Sequence, residues 1–182
     1  MFDWLRDLIH FLISLCPRLM IIAPHEAAVL LSLGTIKKDW GSGWYIWWPI
    51  IHDVYKIDIM PQIVELGEQS FTTKDGKSIV VQSAIEFEIF DQRRAIFNVN
   101  NYSETLYTYA RSALFDEISN FNWEESNIEG LLNRVKIKVA RKARKWGVKV
   151  TNIWFTTVAE HRLFRIMSDA PVVNSNIISE FE

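Results

Sequence analysis

A single cysteine, Cys16, stands among 182 residues. That excludes an intramolecular disulfide framework and leaves too few thiolates for a cysteine-based zinc centre. Neither sign of charge is in excess: 20 Lys and Arg face 22 Asp and Glu, a net charge of −2, whereas a dedicated nucleic-acid binder shows a clear basic surplus. The four histidines, His10, His25, His52 and His161, are scattered, and none lies in a zinc-protease or nucleophile-elbow context. Gly41-Ser42-Gly43 lacks the Lys-Ser/Thr that a phosphate-binding loop requires. Glu86 and Glu88 share a strand face and could form an acid/base pair, but two exposed carboxylates are the plainer reading. These absences predict a protein that is not an enzyme and holds no metal and no cofactor. No internal repeat or low-complexity linker interrupts the chain, so one domain is expected, from about residue 23 to 160.

What is abundant is aromatic: eight Trp and eleven Phe. Trp concentrates where one end of a side chain is dry and the other wet, at membrane or protein interfaces. The first twenty residues carry this further. On a helical wheel of roughly 100° per residue, Asp3, Arg6, Asp7, His10, Ser14, Pro17 and Arg18 share one arc of about 120°. Phe2, Trp4, Leu5, Leu8, Ile9, Phe11, Leu12, Ile13, Leu15, Cys16, Leu19 and Met20 fill the rest. A signal peptide does not fit, because Asp3 and Asp7 offset Arg6 and no small-residue cleavage site follows. A simple lipid-exposed span does not fit either, since Arg18 would cost roughly 2.5–3.5 kcal/mol near the bilayer centre. Two membrane geometries remain. Either the helix lies in the interface with its polar stripe towards headgroups, or it enters the bilayer with that stripe against neighbouring copies, bent at Pro17. The alternative is a helix packed on the protein's own core. The wide apolar arc favours lipid, so residues 1–22 are expected to form a membrane-anchoring helix.

The body alternates strands, then helices, then a strand. Ala27–Leu33 reads as a buried strand ending at Gly34, and Tyr55–Ile59 as a half-buried one. Asp75-Gly76 signals a hairpin between Gln69–Thr73 and a long strand from Lys77 to Phe90. In that strand Val81, Ile85, Phe87 and Ile89 share one face, and Gln82, Glu86 and Glu88 the other. Helical spacing begins at Ser103, with Leu106, Ala110, Ala113, Leu114 and Ile118 as a stripe. A second helix opens with Ser126 and Glu129 at capping-box spacing, turns Leu132, Val135, Val139, Ala143 and Trp146 inward, and stops at Gly147. Val148–Val158 returns to a strand. The fold class is α+β.

The order of these signals resembles the SPFH, or band 7, domain of stomatins, prohibitins, flotillins and the bacterial HflK/HflC pair. The matching pieces are Pro24-His25-Glu26-Ala27-Ala28-Val29 followed by Gly34, the glycine-rich turn and hydrophobic passage from Gly41 to Val54, and Ile57-Asp58. Thr73-Lys74-Asp75-Gly76 then precedes the long strand, Asp91 and Ala95 follow it, and Gly147-Val148-Lys149-Val150 closes the second helix. The proline of the family's glycine-rich turn is Ser42 here. The resemblance implies a curved, largely antiparallel sheet with packed helices, behind an N-terminal membrane-associated helix. Family members usually continue into a long coiled coil; here a short helical segment and tail, 161–182, is expected instead. The resemblance implies a membrane-bound scaffold that assembles into rings or cages.

Three surface features bear on that expectation. Trp44, Ile46 and Trp48 point one way along a strand while Tyr45 and Trp47 point the other, so both faces are bulky and apolar. One core covers one face; Trp44, Trp47 and Trp48 are therefore candidates for lipid, with core packing and a subunit contact as the alternatives. The second helix carries Arg134, Lys136, Lys138, Arg141, Lys142, Arg144 and Lys145. A solvated face, a subunit contact and anionic headgroups all fit it, whereas nucleic acid does not. For the subunit contact, Arg141, Lys142 and Lys145 would meet Glu124, Glu125 and Glu129 in the acidic run that also holds Asp116 and Glu117. Cys16 reads either as a small buried hydrophobe or as an acylation site beside the membrane. The expected function is a non-enzymatic, membrane-associated scaffold forming a homo-oligomeric ring, dome or cage, with the lipid bilayer and its own copies as partners. The second reading is a regulatory module docking on a membrane protease or channel without large assembly.

Overall fold

The computed structural model describes residues 16–123 and 127–160. Among these described residues, eight strands form three antiparallel sheets. Strand β1 (Arg18–Ile22) pairs with β4 (Gly43–Trp47); β2 (Glu26–Ser32) lies between β3 (Thr35–Trp40) and β5 (His52–Asp58); β7 (Ser78–Ile89) lies between β6 (Gln62–Thr72) and β8 (Val148–Glu160). Helices α1 (Gln92–Phe97), α2 (Tyr102–Ser119) and α3 (Ile128–Ala143) fall between β7 and β8, with a 3-10 turn over Arg144–Trp146. This is the expected α+β class.

The β6-β7-β8 sheet and its two long helices hold the main core. In β7 the residues Ile79, Val81, Ile85, Phe87 and Ile89 are buried, as the period-2 pattern predicts. The first four of them share a cluster with Leu106, Ala110, Ala113, Leu114 and Ile118 of α2 and Leu131, Val135, Val139 and Ala143 of α3. Each large side chain removed from water here is worth roughly 1.5–3 kcal/mol. The chain turns from α3 into β8 at Gly147, whose φ is +76°. A Cβ at that position would lie 2.2 Å from the Asp91 carbonyl oxygen, so only glycine fits. Its own carbonyl accepts from the amides of Phe90 and Asp91, and Asp91 caps α1 by accepting from the Arg94 amide.

Several sequence expectations need correction. The helix expected through residue 22 is not what Arg18–Ile22 form; they are β1, and the domain therefore starts before residue 23. Pro17 cannot sit inside a helix without losing a hydrogen bond, and pairing with β4 gives residues 18–22 their backbone partners while burying Ile22. Residues 1–15, including Phe2, Trp4, Leu5, Leu8, Ile9, Phe11, Leu12, Ile13 and Leu15 of the expected anchor, lie outside the described residues, as do 161–182. The cap of α3 is Asn127, whose side-chain oxygen accepts from the Gly130 amide at 2.8 Å, rather than Ser126, which lies outside the described residues. Leu131 is buried while Leu132 packs at the edge of the core. Strand β6 begins at Gln62, seven residues before the expected start, and β3 and α1 carried no strong sequence signal.

Candidate membrane-facing surface

The β1–β4 ladder sits on the smaller sheet and has two unlike faces. Its inner face carries Met20, Ile22, Tyr45 and Trp47, packed with Trp40, Ala28, Leu30 and Val54. Trp40 and Tyr45 stack with ring centroids 4.5 Å apart and planes 6° from parallel. Leu19 is set directly against Ile46, and Ile21 against Trp44, by the strand register. All four are exposed, Trp44 by 75% of its surface. The outer face is thus two cross-strand apolar pairs with water on them, an arrangement that costs stability unless something covers it.

The ladder continues into a tip of the same character. After Trp47 the chain turns over Trp48–Ile51, closed by bonds from the Ile51 and His52 amides to the Trp48 carbonyl and from the Trp48 amide to His52 Nδ1 at 3.2 Å. Trp48, Ile50 and Ile51 are exposed. The Leu33 amide donates to the Ile51 carbonyl at 2.9 Å, bringing the β2–β3 hairpin alongside. That hairpin turns on Leu33 and Gly34, at φ of +50° and +75°. Two-residue turns of this kind favour Asn-Gly, because a left-handed backbone is costly for a branched apolar residue. Leu33 adopts it with 80% of its surface exposed. A strained, exposed leucine at a loop tip is a reason to look for a function there.

Topology gives this surface a direction. Arg18 pairs with Trp47, so the apolar segment preceding β1 joins the domain beside the Trp48–Ile51 turn. The opposite end of the small sheet docks on the helical half. There Ala27 and Ile57 pack with Ile89 and Ala95, Tyr55 meets Phe97 edge-on, and Arg93 Nε lies 2.6 Å from Asp39 Oδ1. Strand β2 alone separates the two ends by about 20 Å. One bracket fixes β1 to the sheet beneath it. Lys56 Nζ donates to the Ile21 carbonyl at 2.8 Å and to Glu26 Oε2 at 3.0 Å, and the same carboxylate accepts from the Ala23 amide. The Lys56 hydrogen bond first, and the Ala23 amide second, hold the Glu26 carboxyl below the usual carboxylate range.

Of the expected membrane residues, Leu19, Trp44 and Trp48 are on exposed positions, and Cys16 is exposed just before β1. Met20 and Trp47 turn inward and are half-buried against the Trp40 cluster. Leu33, Ile21, Ile50 and Ile51 were not singled out from the sequence, and the available signal was Leu-Gly where a tight turn prefers Asn-Gly. Among the described residues, no helix is long and apolar enough to cross a membrane.

The basic helix is divided. Arg134 Nε lies 3.1 Å from Glu117 Oε2, and Lys138 Nζ lies 2.9 Å from Asp116 Oδ2. Asp116 holds the Lys138 ammonium above the usual lysine range. Two acids of the expected acidic counter-surface are therefore spent inside the chain, tying α2 to α3. Arg141, Lys142 and Lys145 are exposed, with Lys142 Nζ 5.9 Å above the Tyr109 ring. Glu129 is exposed in the first turn of α3, and Glu124 and Glu125 lie outside the described residues.

Comparison with known proteins agrees with this architecture. The model of the SPFH domain / Band 7 family matches residues 20–169. A stomatin homolog of Pyrococcus horikoshii is 25% identical over 148 residues, which cover 80% of this chain and 56% of that protein. Stomatin-like protein 3 of Mus musculus is 24% identical over 155 residues, 83% of this chain and 54% of its own length. An uncharacterized protein of Methanothermobacter thermautotrophicus is 26% identical over 137 residues, 74% of this chain and 43% of its own. The chain spans about half the length of the curated relatives it matches.

Proposed function

The chain belongs to the SPFH domain / Band 7 family, and from that premise we propose that it is a non-catalytic, membrane-associated scaffold that rests the outer face of its β1–β4 ladder on lipid. The observation that carries the reading is the double-sided ladder: the core accounts for Tyr45 and Trp47, and among the described residues none packs Leu19, Ile21, Trp44 and Ile46 into a core. Leu33, Trp48, Ile50 and Ile51 extend that surface at the end where the apolar N-terminal segment joins. In this reading residues 1–17 are the principal anchor and the ladder is a second, shallower contact, two signals being what stable attachment needs. Cys16, exposed between the two, is in position for an acyl chain that would strengthen the attachment.

The scaffold assembles with its own copies, through the exposed cations of α3, into a ring, dome or cage. The second reading, a module that docks on a membrane protease or channel without large assembly, draws on the same exposed faces and differs in particle mass. The test has two arms. Leu8→Asp with Leu12→Asp is expected to release the protein from vesicles, while Trp44→Ser with Ile46→Ser weakens binding and leaves the fold intact. Vesicle flotation that is indifferent to both pairs rejects the lipid reading. Mass measured in mild detergent then separates a large assembly from a single protomer.

A further inference from the structure

Helices α2 and α3 cover one face of the β6-β7-β8 sheet, and the register fixes what the other face carries. Across the three strands run the rows Ile63–Glu86–Asn152, Glu65–Ala84–Trp154 and Glu68–Gln82–Thr157. A bulge makes this face more acidic than simple alternation would. Leu66 and Gly67 together stand opposite Ser83, with Gly67 at φ +66°, so Glu68 returns to the side of Glu65. Glu88, next along, is paired with Lys149. Glu65, Glu68 and Glu86 carry no ion-pair partner among the described residues. Ile63 is exposed and Trp154 half-exposed between them.

The outer side of α3 is the complement. Beyond Lys138, which is held by Asp116, the cations Arg141, Lys142, Arg144 and Lys145 are exposed with no carboxylate partner among the described residues. Ile137 is an exposed apolar residue on the same side, lining one shallow depression with Arg141 and Arg144. The two surfaces lie on opposite sides of one two-layer unit, helices above and sheet below.

We propose that the outer side of α3 in one copy docks on the open face of the β6-β7-β8 sheet in the next. This rests on the self-assembly reading and replaces its acidic counter-surface, since Asp116 and Glu117 are engaged within the chain. Unlike patches on opposite sides repeat in one sense from copy to copy, which is what a heterologous ring or arc requires. Three carboxylates around Ile63 and Trp154 meet four cations around Ile137, so charge sets the register and apolar contact lies inside it. Glu129 has a local role as the acid in the first turn of α3.

The test uses the full chain in mild detergent, read by mass. Glu65→Lys, Glu68→Lys and Glu86→Lys together are expected to reduce the assembly to single protomers, and adding Arg141→Glu, Lys142→Glu and Lys145→Glu in the same chain to restore it. A second measurement does not depend on how well the reversed chain folds. In a Cys16→Ser background, copies carrying Gln82→Cys are mixed with copies carrying Arg141→Cys, and a disulfide-linked pair is expected only in the mixture. An assembly of unchanged mass after the sheet-face reversal, with no cross-link in the mixture, overturns this contact and leaves self-assembly standing. Restoration of the α3 variant by Glu124→Lys, Glu125→Lys and Glu129→Lys instead assigns the contact to the acidic run. A wild-type chain that is a single protomer in both detergent and vesicles overturns the assembly reading itself.

Discussion

Strands β7 and β4 obey the same alternation and reach opposite results. In β7 every second residue is buried, apolar at all but Ser83, and the residues between are mostly polar or acidic, with Val80 and the buried Ala84 as exceptions. In β4 the inward residues are Tyr45 and Trp47 and the outward ones are Trp44 and Ile46, so both faces are apolar. The first strand is explained by folding: one face pays for the ordering of the chain and the other keeps it soluble. The second is not, because folding needs only its inner face. Among the described residues the outer apolar face of β4 adds nothing to the core, and this difference separates the helix-covered half from the small β half.

The comparison can be broken or sharpened by substitution. The largest effect is expected at the centre of the helix-covered half. Phe87→Ala removes a fully buried ring and should destabilise the fold by about 3–5 kcal/mol in urea titration. On the ladder, Trp44→Ser with Ile46→Ser should leave the urea midpoint within about 0.5 kcal/mol of wild type. The same pair should lower vesicle affinity roughly 10- to 100-fold, at about 1.4 kcal/mol per factor of ten. A stability loss as large as that of Phe87→Ala would make the ladder face a structural element and dissolve the contrast. Gly147→Ala forces a Cβ onto the Asp91 carbonyl at a left-handed position and should cost about 1–3 kcal/mol without touching lipid binding.

Leu33→Asn sharpens the comparison in the other direction. It relieves the left-handed backbone at the β2–β3 turn, so stability should rise by about 0.5–1 kcal/mol while vesicle affinity falls. A variant that loses both would show that Leu33 is packed in the fold. The smallest effect is the pH response of the bracket on β1. Glu26 has a lowered folded pKa, so its contribution is present above its unfolded value and is lost as pH falls through the folded one. The amide protection factors over Arg18–Ile22, taken against the unstructured chain at the same pH, should therefore fall on acidification below the ordinary carboxylate range. In Glu26→Gln that acid dependence should be absent. Asp75, lowered mainly by the Thr73 hydroxyl, gives the same sign at the β6–β7 turn, where its other oxygen accepts from the Trp123 amide.

The helix stripes were legible because their period is local: Leu106 to Ile118 are buried as spaced. So were the Asp75-Gly76 turn and the stop at Gly147, which depend on backbone conformations that few residues tolerate. Strand β1 was not legible, since Leu19-Met20-Ile21-Ile22 fits an apolar helical turn as well as a strand, and only its pairing with β4 decides. Strand β3, an edge strand reading Thr-Ile-Lys-Lys-Asp-Trp, has little pattern of its own. For the candidate site, the two faces of Trp44–Trp48 were readable from alternation. The contribution of Leu33, Ile50 and Ile51 was not, because it depends on two turns brought together by one hydrogen bond from Leu33 to Ile51.

The sequence by itself determined the two long helices and the long strand of the helix-covered half, the family, and the presence of more apolar surface than one small core can use. Each follows from local periodicity, turn chemistry or composition, which act over a few residues. The tertiary structure alone decided which apolar residues are surplus. Trp47 and Trp44 are chemically the same, and they differ only because the Trp40 cluster lies beneath one face of the ladder and not the other. It alone also decided which charges are spent: Asp116 and Glu117 are consumed by α3, while Glu65, Glu68 and Glu86 are gathered from two strands onto one open face. Such assignments depend on pairing between segments far apart in the chain, and that pairing is fixed only when the whole domain closes.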